Sequence, residues 1–118
     1  MKTLFLTIAI LALTINLYSQ DNSVAKKNSN TYPALLDKEF EHGSNIAFPA
    51  LNEGLILDLA CLGKVWGFLK YNHPNVAKGT YNMDFALLRF LPKFLAAKDR
   101  TTREGLMSVW INSFGDIS

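Results

Sequence analysis

The chain has 118 residues, 49% hydrophobic and 19% charged, with 12 Lys+Arg, 10 Asp+Glu and one cysteine. That length holds one small domain and excludes a multi-domain machine, because a single core ordinarily takes about 100–200 residues. The near-neutral charge without a basic block gives no electrostatic reason to expect a nucleic-acid footprint, and no nucleic-acid partner is expected. The lone cysteine excludes an intrachain disulfide framework and any multi-cysteine zinc or iron–sulfur pattern.

Hydrophobicity is unevenly spread. Lys2 is followed by an apolar run from Leu4 to Leu17 and then by the small residue Ser19, the layout of a secretory signal peptide over residues 1–19. The run is too short for the ~20 apolar residues of a membrane span and is interrupted by Thr7, Thr14 and Asn16. The sequence therefore predicts an exported chain, periplasmic or extracellular, with no stable membrane anchor after cleavage. Cys61 is too far from the signal to carry a lipid. Residues 20–54 read as a polar leader followed by an irregular segment. Gln20 to Thr31 holds only Val24 and Ala25 as apolar residues, too few to offset the entropy of ordering. Pro33, Gly43, Pro49 and Gly54 then punctuate short apolar groups, with one short strand expected near 45–48. From Leu55 to Gly115, 32 of 61 residues are apolar, which places the packed domain at 55–115 and leaves 116–118 as its end.

Three helical segments are expected in that domain. In the first, Leu55, Leu59, Leu62, Trp66 and Leu69 recur at spacings of three and four, widened by Ile56, Val65 and Phe68. Ala60, Gly63 and Gly67 form a row of small residues on another side. Glycines inside a helix cost about 1 kcal/mol each relative to alanine, which predicts close approach of another helix or of the leader, with a ligand groove as the alternative. His73-Pro74 ends the segment, because the residue before proline is pushed out of helical geometry. The second opens at the N-cap Asn82 with Asp84 in its first turn. It carries Phe85, Leu88, Leu91 and Leu95 along one stripe, with Leu87, Phe90 and Phe94 beside it. A helix apolar on most sides wants neighbours on more than one face. Pro92 predicts a kink near Leu88–Arg89, or else two abutting helices. In the third, Thr101 to Glu104 matches a capping box, Leu106, Met107, Val109, Trp110, Ile111 and Phe114 follow at helical spacing, and Gly115 supplies the stop. The expected architecture is all-α, a small three-helix antiparallel bundle centred on Trp66, Trp110 and the phenylalanines.

Catalytic sets are scarce. His42 and His73 lie too far apart for metal-ligand spacing, so neither a metal nor a cofactor site is expected. His73 reads as a helix-end cap with local hydrogen bonds. Cys61 reads as a buried, inert thiol. Ser23, Ser29, Ser44, Ser108, Ser113 and Ser118 lack the Gly-flanked turn that exposes a nucleophilic hydroxyl beside backbone donors. Glu53 with Asp58, or Asp84 with Asp99, could be paired as carboxylates, and a solvated face explains them more simply. No catalytic residue is assigned, and the chain alone is expected to be inactive.

The segments Leu59-Ala-Cys-Leu-Gly-Lys-Val-Trp-Gly-Phe-Leu-Lys-Tyr-Asn-His-Pro74, Lys78-Gly-Thr-Tyr-Asn-Met-Asp84 and Leu88-Arg-Phe-Leu-Pro-Lys93 together resemble the N-terminal helical region of exported S41-family peptidases. These are the tail-specific, or C-terminal processing, proteases, and the resemblance is to their Bacteroidetes-type form. Met83 stands where such sequences usually show tryptophan. The resemblance implies that Trp66, His73, Pro74, Tyr81, Asp84 and Pro92 form a structural signature shaping a helical cap. It also implies a downstream catalytic domain, which would carry the serine and lysine and act on a peptide or protein substrate. Under this reading the chain is the non-catalytic N-terminal portion of a longer serine peptidase. The alternative is a stand-alone exported helical binding module. The first reading further predicts exposed Phe or Leu patches and a tendency to self-associate, the second a monodisperse folded protein.

Overall fold

The computed structural model describes residues 31–117; the expected signal peptide and the polar leader as far as residue 30 lie outside them. The described residues are all-α. Their helices are α1 (Pro33–Leu36), α2 (Glu53–Asn72), α3 (Pro74–Ala77), α4 (Met83–Ala96) and α5 (Arg100–Asn112), and α2, α4 and α5 contact one another pairwise. α1 and α3 are single turns that the apolar periodicity was too short to reveal. Each begins at a proline, Pro33 or Pro74, whose fixed φ and missing N–H suit the first helical position.

The strand expected near 45–48 does not form, and no strand occurs among the described residues. Ile46, Ala47 and Phe48 have strand propensity, but no neighbouring segment offers a ladder of donors and acceptors. Asn45 sits at φ 53°, which turns the chain just before them.

The ends of α2 follow from its caps. Asn52 accepts from the N–H of Leu55 at 2.9 Å, and at the other end the His73 N–H donates to the Leu69 carbonyl at 3.1 Å. Its core stripe is Leu55, Asp58, Leu62 and Leu69, with Leu59, Val65 and Trp66 packed alongside. Ile56 and Phe68, expected to widen this stripe, are instead exposed. They sit with Ala60, Gly63 and Gly67 on the outward arc, and a Cβ built on Gly63 or Gly67 would meet open space. Among the described residues, no helix approaches that row.

α4 starts at Asn82, whose side chain accepts from the Phe85 N–H at 3.1 Å, as expected. It runs through Pro92 as one helix rather than two. Its inward face is Met83, Ala86, Phe90, Leu91 and Phe94, all buried. Phe85 and Leu95 fall on the opposite side and are half-buried where residues 37–49 cross it, while Leu88 packs against the edge of the core. Phe40 of that strap meets Phe85 edge-on at 5.4 Å. The helix thus has the second neighbour its composition demanded, supplied by irregular chain rather than by a helix.

α5 is capped by Asp99, not by the Thr101 to Glu104 box: the Asp99 carboxylate accepts from the Thr102 N–H at 2.7 Å. An ionised carboxylate two residues earlier is the stronger acceptor at a positive helix end. Backbone bonds to the Thr102 amide, foremost, hold the Asp99 carboxyl below its ordinary range. Downstream, Gly115 takes φ 90°, a left-handed conformation that reverses the chain after Phe114.

The core is aromatic at its centre. Trp110 stacks on Phe90 at 4.7 Å and 9° and meets Phe114 edge-on at 5.3 Å. Trp66 is half-buried at the rim, where its indole N–H donates to the Met83 carbonyl at 3.0 Å.

Candidate functional site

Two constellations stand out. The first gathers most of the signature residues. Trp66 ties α2 to the first residue of α4 through the Met83 carbonyl. One turn on, the Lys70 ammonium pairs with Asp84 at 2.7 Å and lies 4.8 Å from the Trp66 ring centre. The bond to Asp84 raises the Lys70 pKa above its ordinary value, against the opposing effect of burial.

His73 is fully buried. Its Nδ1 accepts from the Asn75 N–H at 3.2 Å, which leaves Nε2 as the donor to the Gly115 carbonyl at 3.1 Å. The ring therefore caps α3 and also holds the chain after α5. Asn75 adds a second tie, its side-chain amide donating to the Phe114 carbonyl at 2.8 Å. Tyr81 closes the group, edge-on to Phe114 at 5.1 Å. Pro74 opens α3, whereas Pro92 lies apart, exposed on α4. Both imidazole nitrogens of His73 and the amide nitrogen of Asn75 are engaged in holding helices together, which makes the cluster a structural joint.

The second constellation was misjudged at the sequence level. Asp58, read there as part of a solvated face, is buried. One of its oxygens accepts from Arg100 Nε at 2.8 Å and the other from an Arg103 terminal nitrogen at 2.9 Å. Burial pushes its carboxyl upward, but the bonds from Arg103 and Arg100 outweigh this and hold it below the ordinary 3.8. Arg103 also donates to the Phe94 and Ala97 carbonyls, at 3.4 and 2.8 Å, satisfying the end of α4. One guanidinium thus joins three helices. A sequence signal did exist: Asp58 stands three residues after Leu55 and four before Leu62, on the core stripe. A charge there requires a buried partner, and Arg100 and Arg103 share one face of a helix.

This clasp forms one wall of a cavity of about 320 Å³. Leu57, Phe94 and Met107 make it apolar, and Glu104 adds a second carboxylate, so that Asp58, Glu104, Arg100 and Arg103 bring no net formal charge to the lining. Cys61 lies at its edge and is exposed rather than buried as expected, because it falls on the outward arc of α2. No histidine or lysine lines the cavity to serve the thiol as a base. Its chemistry is that of an apolar recess with a neutralised polar wall.

The remaining candidates are dispersed. His42 is exposed on the strap, Ser108 faces solvent, and the Ser113 hydroxyl donates to the Trp110 carbonyl at 2.5 Å. Among the described residues no group of three or more His, Cys, Asp or Glu is placed to hold a metal ion, and no helix is long and apolar enough to cross a membrane. Compared with models of known protein families, with curated proteins and with solved structures, the chain matches none.

Proposed function

We propose that the chain is the non-catalytic helical module of an exported S41-like serine peptidase, with α2, α4 and α5 arranged as a three-helix antiparallel bundle. In this reading residues 1–19 direct export, and a separate catalytic domain carries the serine and lysine that cut a peptide or protein substrate. The outward arc of α2 is the surface that packs against that domain.

The supporting observation is the character of this arc. Ile56, Leu57, Phe68 and Tyr71 are 50%, 61%, 54% and 75% exposed on a single helix. Large apolar side chains are worth about 1.5–3 kcal/mol each when buried. Ala60, Gly63 and Gly67 run between them, so a partner backbone could approach closely. A helix apolar on its outer side as well as its inner one is built to be covered.

The test mixes the purified chain with the catalytic domain of an exported S41-type peptidase and follows association by calorimetry. Binding is expected, and the double substitution Leu57→Glu and Phe68→Glu should abolish it while leaving helical circular dichroism unchanged. Peptide hydrolysis by the chain alone should not exceed a heat-killed control. Absence of binding would favour the second reading, a stand-alone exported helical module. That reading draws support from the satisfied core: every buried polar side-chain atom among the described residues has a hydrogen-bond partner.

A further inference from the structure

Residues 37–49 differ in kind from the helices beneath them. None of these residues is buried, although the chain lies across an apolar helix face. Among the described residues no backbone hydrogen bond joins the strap to a helix. Its own turns close locally, Glu41 N–H to the Lys38 carbonyl and Gly43 N–H to the Phe40 carbonyl. Beyond the turn, Gly43 and Asn45 take left-handed φ values of 110° and 53°, two points about which the segment changes direction.

Polar attachment is concentrated at one side chain, and Ile46 adds an apolar contact with the edge of the core. Arg89 of α4 donates through Nε to Glu39 and through a terminal nitrogen to Asp37, and its guanidinium lies 5.9 Å from the Phe40 ring centre. The Phe40–Phe85 edge contact sits beside it. Further along, fit is loose: residues 44–49 stand over Pro92, Leu95 and Ala96 across a groove of about 520 Å³. On α4, Phe85 and Leu95 lie half-buried on the covered side, and Pro92, although exposed, lines the groove between them and the strap. The arrangement is an ion-paired anchor at one end and looser contact at the other, over an apolar part of α4.

We propose that residues 37–49 are an electrostatically latched cover over the outer apolar face of α4, opening at Arg89 without unfolding of the helical core. Opening breaks the pairing of Arg89 with Asp37 and Glu39, the Phe40–Phe85 contact and the packing of Ile46 against the edge of the core, and it costs no ladder of backbone bonds. Exposed pairs of this kind weaken with ionic strength, so the latch responds to salt, whereas the buried Asp58 clasp is screened far less.

The experiment places a reporter under the cover. In a Cys61→Ser background, Leu95→Cys, which lines the groove under residues 44–49, is labelled with a thiol reagent while near-ultraviolet circular dichroism of the Trp110–Phe90 stack monitors the core. Arg89→Met, which keeps the stem on Phe40 and removes the charge, should speed labelling at least about ten-fold with the core signal unchanged. Raising salt from about 0.05 to 1 M should do the same in the chain that retains Arg89, which keeps the test open if the substituted protein folds poorly. Labelling indifferent to both changes would overturn the proposal. So would labelling that accelerates only as the Trp110 signal is lost, since the strap would then be part of one cooperative unit.

Discussion

At the scale of single residues, chemistry is decided by where a charge or a ring is forced to sit. Asp58 keeps its charge because two guanidinium groups outweigh the effect of its burial. Its carboxyl is depressed in the folded state, so the clasp's contribution is complete above about pH 4 and is lost as pH falls through the lowered value. Urea midpoints followed on acidification should therefore drop more steeply for the wild type than for Asp58→Asn. The variant keeps a residual slope from Asp37, lowered foremost by its bond to Arg89, and from Asp99. At neutral pH Asp58→Asn should lower the midpoint further than loss of the exposed Lys38–Glu41 pair through Glu41→Gln. His73 was legible from Pro74 beside it, since a helix must end there. Its bond to Gly115, 42 residues away, was not, because local spacing carries no information on what the chain brings back later.

At the scale of elements, the apolar period located α2, α4 and α5 and the core stripe of α2, but it misplaced the inward face of α4. On α2 the pattern also set Ile56 and Phe68 beside Leu55, Leu62 and Leu69, whereas the structure buries Asp58 there and leaves those two exposed. The helix is apolar nearly all round, so periodicity alone could not say how far the buried face extends. The α5 cap moved from Thr101 to Asp99 for a similar reason, two acceptors competing within one turn. The connection between α3 and α4 was not legible as a packing site. There Gly79 takes φ 77°, and a Cβ would lie 2.5 Å from the Tyr32 ring. The backbone is also tied at this point, the Ala34 N–H donating to the Gly79 carbonyl at 3.0 Å. Gly79→Ala should cost about 1–2 kcal/mol from the left-handed conformation alone. Thermal melts should show the loss, and it should exceed that of Gly63→Ala, which meets open space and gains helix propensity.

At the scale of the whole molecule, the described chain has two apolar surfaces beyond its core: one bare along α2 and one beneath the strap on α4. Both follow from helices whose composition exceeds what three neighbours of this size can enclose. The Asp58 clasp adds a consequence for the order of assembly. Cap bonds such as Asn82 to Phe85 span three residues, whereas Asp58 reaches Arg100 and Arg103 across 42 and 45. Short loops close first, so the helices should gain their ends before the clasp is made. Stopped-flow measurements on Asp58→Asn should then show the lost stability mainly as faster unfolding, with the refolding rate little altered. A charge that fixes three helices would, on this account, act as a brake on departure from the native state rather than as a guide towards it.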